Sequence, residues 1–317
     1  VKRRAAPRRV TVEARAKLNL CLAVGPRRDD GFHDLVTVFQ SVSLADTLTV
    51  ERVARGFSLR VRHESAAVHG RVAREHRDRV PAGRDNLVLR AARLLAAEHG
   101  LPGGARFTLT KRIPAQAGMG GGSADAAAAL VGLAAVHGLR LSRRVRIDLA
   151  ARLGSDVPFA VTGGTALGLG RGEVLDPLRL VAPFRAVIAV PDWRVSTAEA
   201  FRRHDRARKG LTSWEHNLRF ASTVRRRRVV PLALARRGNR FEELLGPHRR
   251  DLESLRTRMR AAGLLEPRLT GSGSAVFAFV PQGASVRGIL TRFEGDEPLF
   301  EVRSVGSGQR LHAPVSR

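Results

Sequence analysis

The densest chemical signal in the chain is Gly118-Met119-Gly120-Gly121-Gly122-Ser123. Four glycines within five residues let a backbone approach a ligand closely and gather consecutive N–H groups into one concavity. An Ala-rich helical run follows, so a helix N-terminus turns its positive dipole end toward the same place. Together these features make an anion site suited to a polyphosphate. Ser123 could cap that helix, bind phosphate or hold Mg²⁺. No Walker A pattern occurs anywhere, and Ser123 stands where a dinucleotide fingerprint needs its third glycine.

Four further segments carry weaker signals. Asp156, in Gly154-Ser155-Asp156-Val157-Pro158, is a carboxylate that near a phosphate loop could act as a base toward a hydroxyl. On its own it reads as a turn after a helix. Lys17 opens a well-patterned strand, and its ammonium could stabilise charge at a transferring phosphate. On its own it reads as an exposed lysine at a strand start. In Asp30-Gly31-Phe32-His33 an aromatic beside a histidine could stack on a base and bond its edge, or simply form a hairpin corner. Residues 269–274 form a second Gly/Ser turn that could line a ligand or join two strands.

These groups need elements to hold them. Residues 9–16 and 17–24 alternate apolar and polar, the pattern of half-buried strands, and 35–42, 47–53 and 57–61 read as further strands. Residues 63–84 are Arg/His-rich without a period and read as a basic surface loop. Asp85 or Asn86 can cap a helix that runs to Glu98 and stops at Gly100. A strand over 106–111 leads into the Gly loop, and the helix after it ends near Val136. Helices are expected over 142–153, 197–204, 214–224, 240–262 and 285–293, with strands at 186–190, 268–269, 275–280 and 299–305. The Gly-rich stretch 163–172 reads as a hinge between domains. Strands and helices mix without strict alternation, which points to an α+β fold rather than a doubly wound sheet.

The chain has 317 residues, enough for two domains. It carries 56 Lys+Arg against 29 Asp+Glu, a net +27. Only Lys2, Lys17, Lys111 and Lys209 are lysines; the other basic residues are arginines spread over every segment. A nucleic-acid binder shows such a charge, but clusters it on one face or among aromatics. Here there is no tyrosine and aromatics make up 5%, so the charge reads as chain-wide composition. Cys21 is the only cysteine, which excludes an internal disulfide and multi-cysteine metal sites, and is compatible with a reducing cytoplasm. The ten histidines form no HExxH pattern. The longest apolar run, residues 126–136, is too short to span a bilayer. Residues 1–9 are basic and lack the apolar stretch of a secretory signal, and read as a short disordered arm.

Taken together and in this order, the segments resemble the GHMP kinase superfamily. The resemblance runs through residues 16–20, 30–33, Phe39-Gln40, Asp46-Thr47, 85–87, 114–126, 154–158, 170–173 and 270–273. It implies two domains. An N-terminal domain like ribosomal S5 domain 2 would cover 1–170, and a ferredoxin-like C-terminal domain 171–317, with the active site in the cleft between. Lys17-x-Asn19, the Asp-Gly-aromatic-His run and Gly-x-Asp-Val-Pro point to the branch acting on a CDP-linked polyol. The implied reaction is ATP-dependent phosphorylation of the 2-hydroxyl of CDP-methylerythritol, in non-mevalonate isoprenoid precursor synthesis. A homoserine- or mevalonate-type kinase is the alternative within the superfamily, and a basic nucleic-acid-binding protein the alternative outside it.

The resemblance also implies roles. Asp156 would be the base and Lys17 its neighbour at the transferred phosphoryl. Ala117, Gly118, Met119, Gly120, Gly121, Gly122 and Ser123, entered through Pro114, would wrap the ATP phosphates, with Asn86 and Lys111 nearer the nucleotide. Phe32 would stack on cytosine and His33 would bond its edge. Asn19 would contact the substrate near the reacting centre, and Thr197, Thr270 and Gly271 would complete the cleft. ATP and Mg²⁺ are the implied cofactors. A cytoplasmic monomer or homodimer without membrane or nucleic-acid partners is expected. Phe32 replaces a frequent tyrosine, Ala124 a frequent serine and Ser155 a frequent alanine. Arg240 stands where an acidic residue is common.

Overall fold

The computed structural model describes residues 6–70, 80–207, 214–225 and 228–312. The first half of the chain contains β1 (Arg9–Arg27), β2 (His33–Val53), β3 (Phe57–His63), α1 (Leu87–His99), β4 (Gly104–Lys111), α2 (Gly121–Val136), α3 (Arg143–Ala151), α4 (Val157–Thr162) and β5 (Thr165–Leu169). The second half contains β6 (Val174–Leu180), β7 (Arg185–Ala189), α5 (Thr197–Arg206), α6 (Trp214–Val224), β8 (Arg228–Val229), α7 (Pro231–Ala235), α8 (Arg249–Ala261), β9 (Leu265–Leu269), β10 (Val276–Phe279), α9 (Val286–Arg292), β11 (Leu299–Arg303) and β12 (Gln309–His312).

Two sheets organise these elements. The larger runs β12–β1–β2–β5–β6–β8, with β4 pairing both β2 and β3. The smaller is antiparallel, in the order β11–β7–β10–β9. Strands and helices mix as expected for an α+β fold. The segments expected as separate strands over 9–24 and over 35–53 are single long strands, β1 and β2. In β1 the register shifts between Arg15 and Lys17 and again between Asn19 and Cys21. Such bulges re-aim side chains, and these two bracket Lys17 and Asn19. Alternate residues of β1 are buried as far as Ala14, and then every residue from Ala16 to Leu22 is buried. The second part of the strand is covered on both faces, which alternation alone does not announce.

Apolar packing explains the layers. Leu48, Val50, Phe107 and Leu109 on one sheet face pack against Ala91 and Leu95 of α1 and Ala127 and Leu130 of α2. Further along, Leu18, Leu20 and Val38 meet Ile188, Phe277 and Phe300 of the smaller sheet. The smaller sheet's other face buries Val187, Val276 and Ala278 against Leu252, Leu255 and Met259 of α8. Burying a side chain of this size contributes roughly 1.5–3 kcal/mol.

Helix ends follow their sequence signals. Asn86 caps α1 by accepting from Val88 N, and Gly100 closes it in the left-handed conformation. Ser142, Ser196 and Ser285 cap α3, α5 and α9. The single helix expected over 240–262 is broken. Two 3₁₀ turns, Arg240–Leu244 and Gly246–His248, precede α8, because Pro247 lacks an N–H and Gly246 turns with φ +60°. The Gly-rich stretch expected as a hinge instead forms β5, paired with both β2 and β6. Gly168 lies under the Phe39 ring, where an added Cβ would come within 2.5 Å. The large sheet therefore continues past residue 170 through β6, and β12 returns to pair with β1. Residues 68 and 69 are tied to Leu299 at the edge of the smaller sheet rather than forming an open loop. The rest of that basic loop at 71–79, and the start of the N-terminal arm at 1–5, lie outside the described residues. Among the described residues, no helix is long and apolar enough to cross a membrane.

Candidate active site

The Gly loop sits where β4 hands the chain to α2. Helix α2 begins at Gly121 with Gly120 as its N-cap, and no side chain caps it. Ser123 is thus in the first helical turn and not the cap, contrary to one sequence expectation. The N-terminal N–H groups of a 16-residue helix therefore face the loop without a side-chain acceptor.

Two glycines are required here by contact as well as by conformation. Gly118 has φ +82°, and an added Cβ would lie 2.2 Å from Thr270 O. Gly120 has φ +70°, and an added Cβ would lie 3.0 Å from Lys17 Cγ. The loop is thus pressed between the lysine stem and the second Gly/Ser turn. Backbone bonds fix it there: Lys17 N donates to Met119 O at 3.0 Å, and Ala275 N donates to Ala117 O at 3.1 Å.

Lys17 is buried, with only 9% of its side chain exposed. Its Nζ donates to Asn19 Oδ1 at 2.5 Å and lies 3.5 Å from Asp156 Oδ2. The same ammonium stands 5.6 Å above the Phe39 ring centroid. Asp156 directly precedes α4, with Pro158 in that helix's first turn. The Asp156 carboxylate makes no capping bond and is one-third exposed toward the cleft. A base needs that combination of fixed backbone and accessible oxygens.

Asn19 has spent its polar atoms on the protein. It accepts from Lys17 and from Gly271 N at 3.0 Å, and it donates through Nδ2 to Thr37 Oγ1 at 2.8 Å. Thr270 accepts from Asn19 N at 3.0 Å and is fully buried beneath the turn. Asn239 donates to Leu269 O and Gly271 O at 2.9 and 2.8 Å and so holds the turn from behind. Its signal in the sequence was only its place beside the unusual Arg240.

Lys111 lies under the loop. Its ammonium donates to Asp125 Oδ2 at 2.8 Å and to Asp46 Oδ2. Burial pushes this ammonium's pKa down, but the two carboxylates outweigh burial and hold it above its usual value. Asp46 Oδ1 also accepts from Arg112 N at 2.5 Å and Ile113 N at 2.9 Å. Asp125 Oδ1 has no hydrogen-bond partner among the described residues. Burial, with the Asp46 charge adding and Lys111 opposing, pushes the Asp125 carboxyl up to about 8. Cys21, also buried, has its thiol pushed up to about 11 by desolvation, which makes it a poor nucleophile.

At the far end, His33 Nε2 meets Asp205 Oδ1 at 2.7 Å, and its ring stacks on Phe201 at 5.0 Å. Phe201 and Asp205 stand four residues apart on one face of α5 and were not singled out in the sequence; only that helical spacing could have pointed to them. Phe32 is half-exposed, with the Arg171 guanidinium 4.7 Å from its ring centroid. Thr197 Oγ1 lies 3.0 Å from Ser272 Oγ.

One cleft of about 1070 Å³ joins these groups. Lys17, Asn19, Phe32, His33, Lys111, Pro114, residues 117–123, Asp156, Thr197 and Gly271 all line it. Asn86 and Thr270 are not among the lining residues. Asn86 is committed to capping α1 and to Pro81 O, and Thr270 to Asn19. Among the described residues no group of three or more His, Cys, Asp or Glu could hold a metal ion.

Residues 86–164 match the family model of the GHMP kinases N terminal domain. The 4-diphosphocytidyl-2-C-methyl-D-erythritol kinase of Moorella thermoacetica is 39% identical, over 91% of this chain and 96% of its own length. The enzyme of that name from Gloeobacter violaceus is 37% identical, over 92% of each chain. A crystal structure of 4-(cytidine 5'-diphospho)-2C-methyl-D-erythritol kinase superposes with a TM-score of 0.71 at 34% identity. It covers 94% of this chain and 100% of that one. A homoserine kinase from Cytophaga hutchinsonii superposes with a TM-score of 0.68 at 16% identity, over 98% of this chain and all of its own, which is a likeness of fold alone.

Proposed function

The chain belongs to the 4-diphosphocytidyl-2-C-methyl-D-erythritol kinases of the GHMP kinase family, and from that premise we propose how its cleft residues divide the reaction. It is a small-molecule kinase that uses ATP to phosphorylate the 2-hydroxyl of CDP-methylerythritol, in non-mevalonate isoprenoid precursor synthesis. Phosphoryl transfer passes through a loose transition state, so positioning and charge stabilisation carry most of the catalysis.

The observation that carries the assignment is the Lys17–Asp156 pair, 3.5 Å apart at the foot of the Gly loop. Asp156 accepts the hydroxyl proton as the new oxygen–phosphorus bond forms and the bond to the departing ADP breaks. Lys17, anchored by Asn19, orients that hydroxyl and offsets charge on the transferring group. The N–H groups at the start of α2 hold the ATP phosphates. Phe32 and His33 receive the cytosine, with Phe201 and Asp205 fixing the His33 ring. Asn19 and Thr270 act as positioning residues, because their polar atoms are already committed to the protein. Mg²⁺ accompanying ATP would supply charge neutralisation at the phosphates. The Ser123 hydroxyl, in the first turn of α2 and lining the cleft, is an oxygen donor of the kind such an ion takes.

A substrate panel with ATP tests this reading by ADP release. CDP-methylerythritol should turn over, whereas homoserine and mevalonate, with no cytosine to fill the Phe32–His33 end, should not. Asp156→Asn should lower kcat by roughly 10²–10⁴-fold. Undiminished turnover in that variant removes Asp156 as the base.

A further inference from the structure

The established reaction gives no part to Arg171, which stands in the Gly170-Arg171-Gly172-Glu173 turn between β5 and β6. That turn is built into the site from both sides. Gly170 O accepts from Leu35 N of β2 at 2.6 Å. Gly172 lies against Phe39 and the Asp156 carboxylate, with an added Cβ 3.4 Å from the ring and 4.0 Å from Oδ1. Glu173 fixes the arginine by accepting from Arg171 N at 2.6 Å and by pairing with its Nε at 3.5 Å. The guanidinium itself lies over the Phe32 ring. The Arg171 backbone is thus beside Asp156 and its charged end beside Phe32.

The assigned substrate has a fixed covalent order: cytosine, ribose, diphosphate, then the polyol that accepts phosphate. Its base end belongs at Phe32–His33 and its reacting end at Lys17–Asp156. The diphosphate must cross the interval that the Arg171 side chain spans. A guanidinium is the side chain best matched to paired phosphate oxygens, because its planar fork donates two parallel hydrogen bonds. Lys17 cannot serve the linker, since its ammonium is held by Asn19 beside the base.

We propose that Arg171 binds the diphosphate linker of the CDP-linked substrate and thereby sets the distance between base recognition and phosphoryl transfer. This rests on the assignment of Phe32–His33 as the cytosine end.

Calorimetric titration of the full chain with cytidine and with CDP, alongside steady-state kinetics, tests it. The wild-type chain should bind CDP more tightly than cytidine. Arg171→Gln keeps a planar group that can lie on Phe32 but loses the charge. It should weaken CDP binding and raise the KM for CDP-methylerythritol by roughly 10–100-fold, with cytidine affinity and the KM for ATP changed less than about twofold. Arg171→Lys should recover part of the loss. Equal weakening of cytidine and CDP would mean that Arg171 only props the stacking ring, and no change in either would mean it makes no contact; both overturn the proposal. If the wild-type chain turns over CDP-methylerythritol, those outcomes count against Arg171 alone. If it neither turns over that substrate nor binds CDP, the assignment of the cleft fails first and the proposal with it.

Discussion

Asn19 illustrates how single residues work in this site. One amide side chain accepts from Lys17 and Gly271 and donates to Thr37, while its backbone N–H reaches Thr270. It joins β1 to β2 and to the second Gly/Ser turn, and its bonds to Lys17, Thr37 and Thr270 are buried. Removing the amide leaves the Lys17 ammonium without its closest acceptor and the turn without its anchor. Asn19→Ala should therefore lower kcat more than it raises either KM. It should also cost roughly 1–3 kcal/mol of stability, from buried donors left unpaired. Thermal melts and steady-state kinetics on one preparation separate the two effects. A kcat near that of the wild type would mean the lysine needs no such positioning. At this scale the sequence was legible wherever residue type limits chemistry. The Gly loop stood out by residue type and spacing, whereas Lys17 and Asp156 drew their roles only from the resemblance of the ordered segments to a family. The cap that Asn86 forms on α1 was legible as well, but the bond between Asn19 N and Thr270 was not, because a hydrogen-bond partner 251 residues away leaves no mark on local sequence.

Helix α2 and strand β4 meet at the buried Lys111–Asp46–Asp125 cluster, and the elements place more charge there than one ammonium can neutralise. Asp46 has two backbone N–H donors in addition to the lysine, so Asp125 is the carboxyl that holds a proton more readily. The sign of the pH effect follows. The folded chain keeps a proton on Asp125 that the unfolded chain releases near the ordinary aspartate value of about 4. The associated stability is full below that value and is lost as pH rises toward about 8. Wild-type melting temperature should fall between pH 5 and about pH 9, and Asp125→Asn should flatten the fall. An unchanged slope in the variant would show that another group titrates there. Helices with a cap and a period, such as α1, α3 and α5, were readable to within a residue or two. Short elements such as α4, α7 and β12 were not. Six or fewer residues carry too little periodicity, and their stability comes from what they pack against.

The whole molecule carries a net charge of +27, and its substrates are polyanions. Many of the arginines are paired on the surface, as in Arg202 with Glu199 and Arg258 with Glu297. The excess positive charge sets up a field around the molecule. Such a field speeds the arrival of ATP and of the CDP-linked substrate and is screened within about 8 Å at physiological salt. Raising salt from about 50 to about 300 mM should therefore lower kcat/KM for both substrates several-fold while leaving kcat nearly constant, as read by ADP release. A salt-independent kcat/KM would reduce the charge to composition without a role. The sequence by itself determined the chemistry on offer: which residues can hold phosphate, take a proton or stack on a base, and the order in which they come. It also determined the main helices and strands, because periodicity and caps act within a few residues. Only the tertiary structure decided that β1 and β2 are continuous, that the stretch expected as a hinge holds a sheet strand over Thr165–Leu169, and that Arg171 lies between Phe32 and Asp156. Those outcomes depend on contacts between segments far apart in the chain, where burial on a second face and charge pairing outweigh local preference.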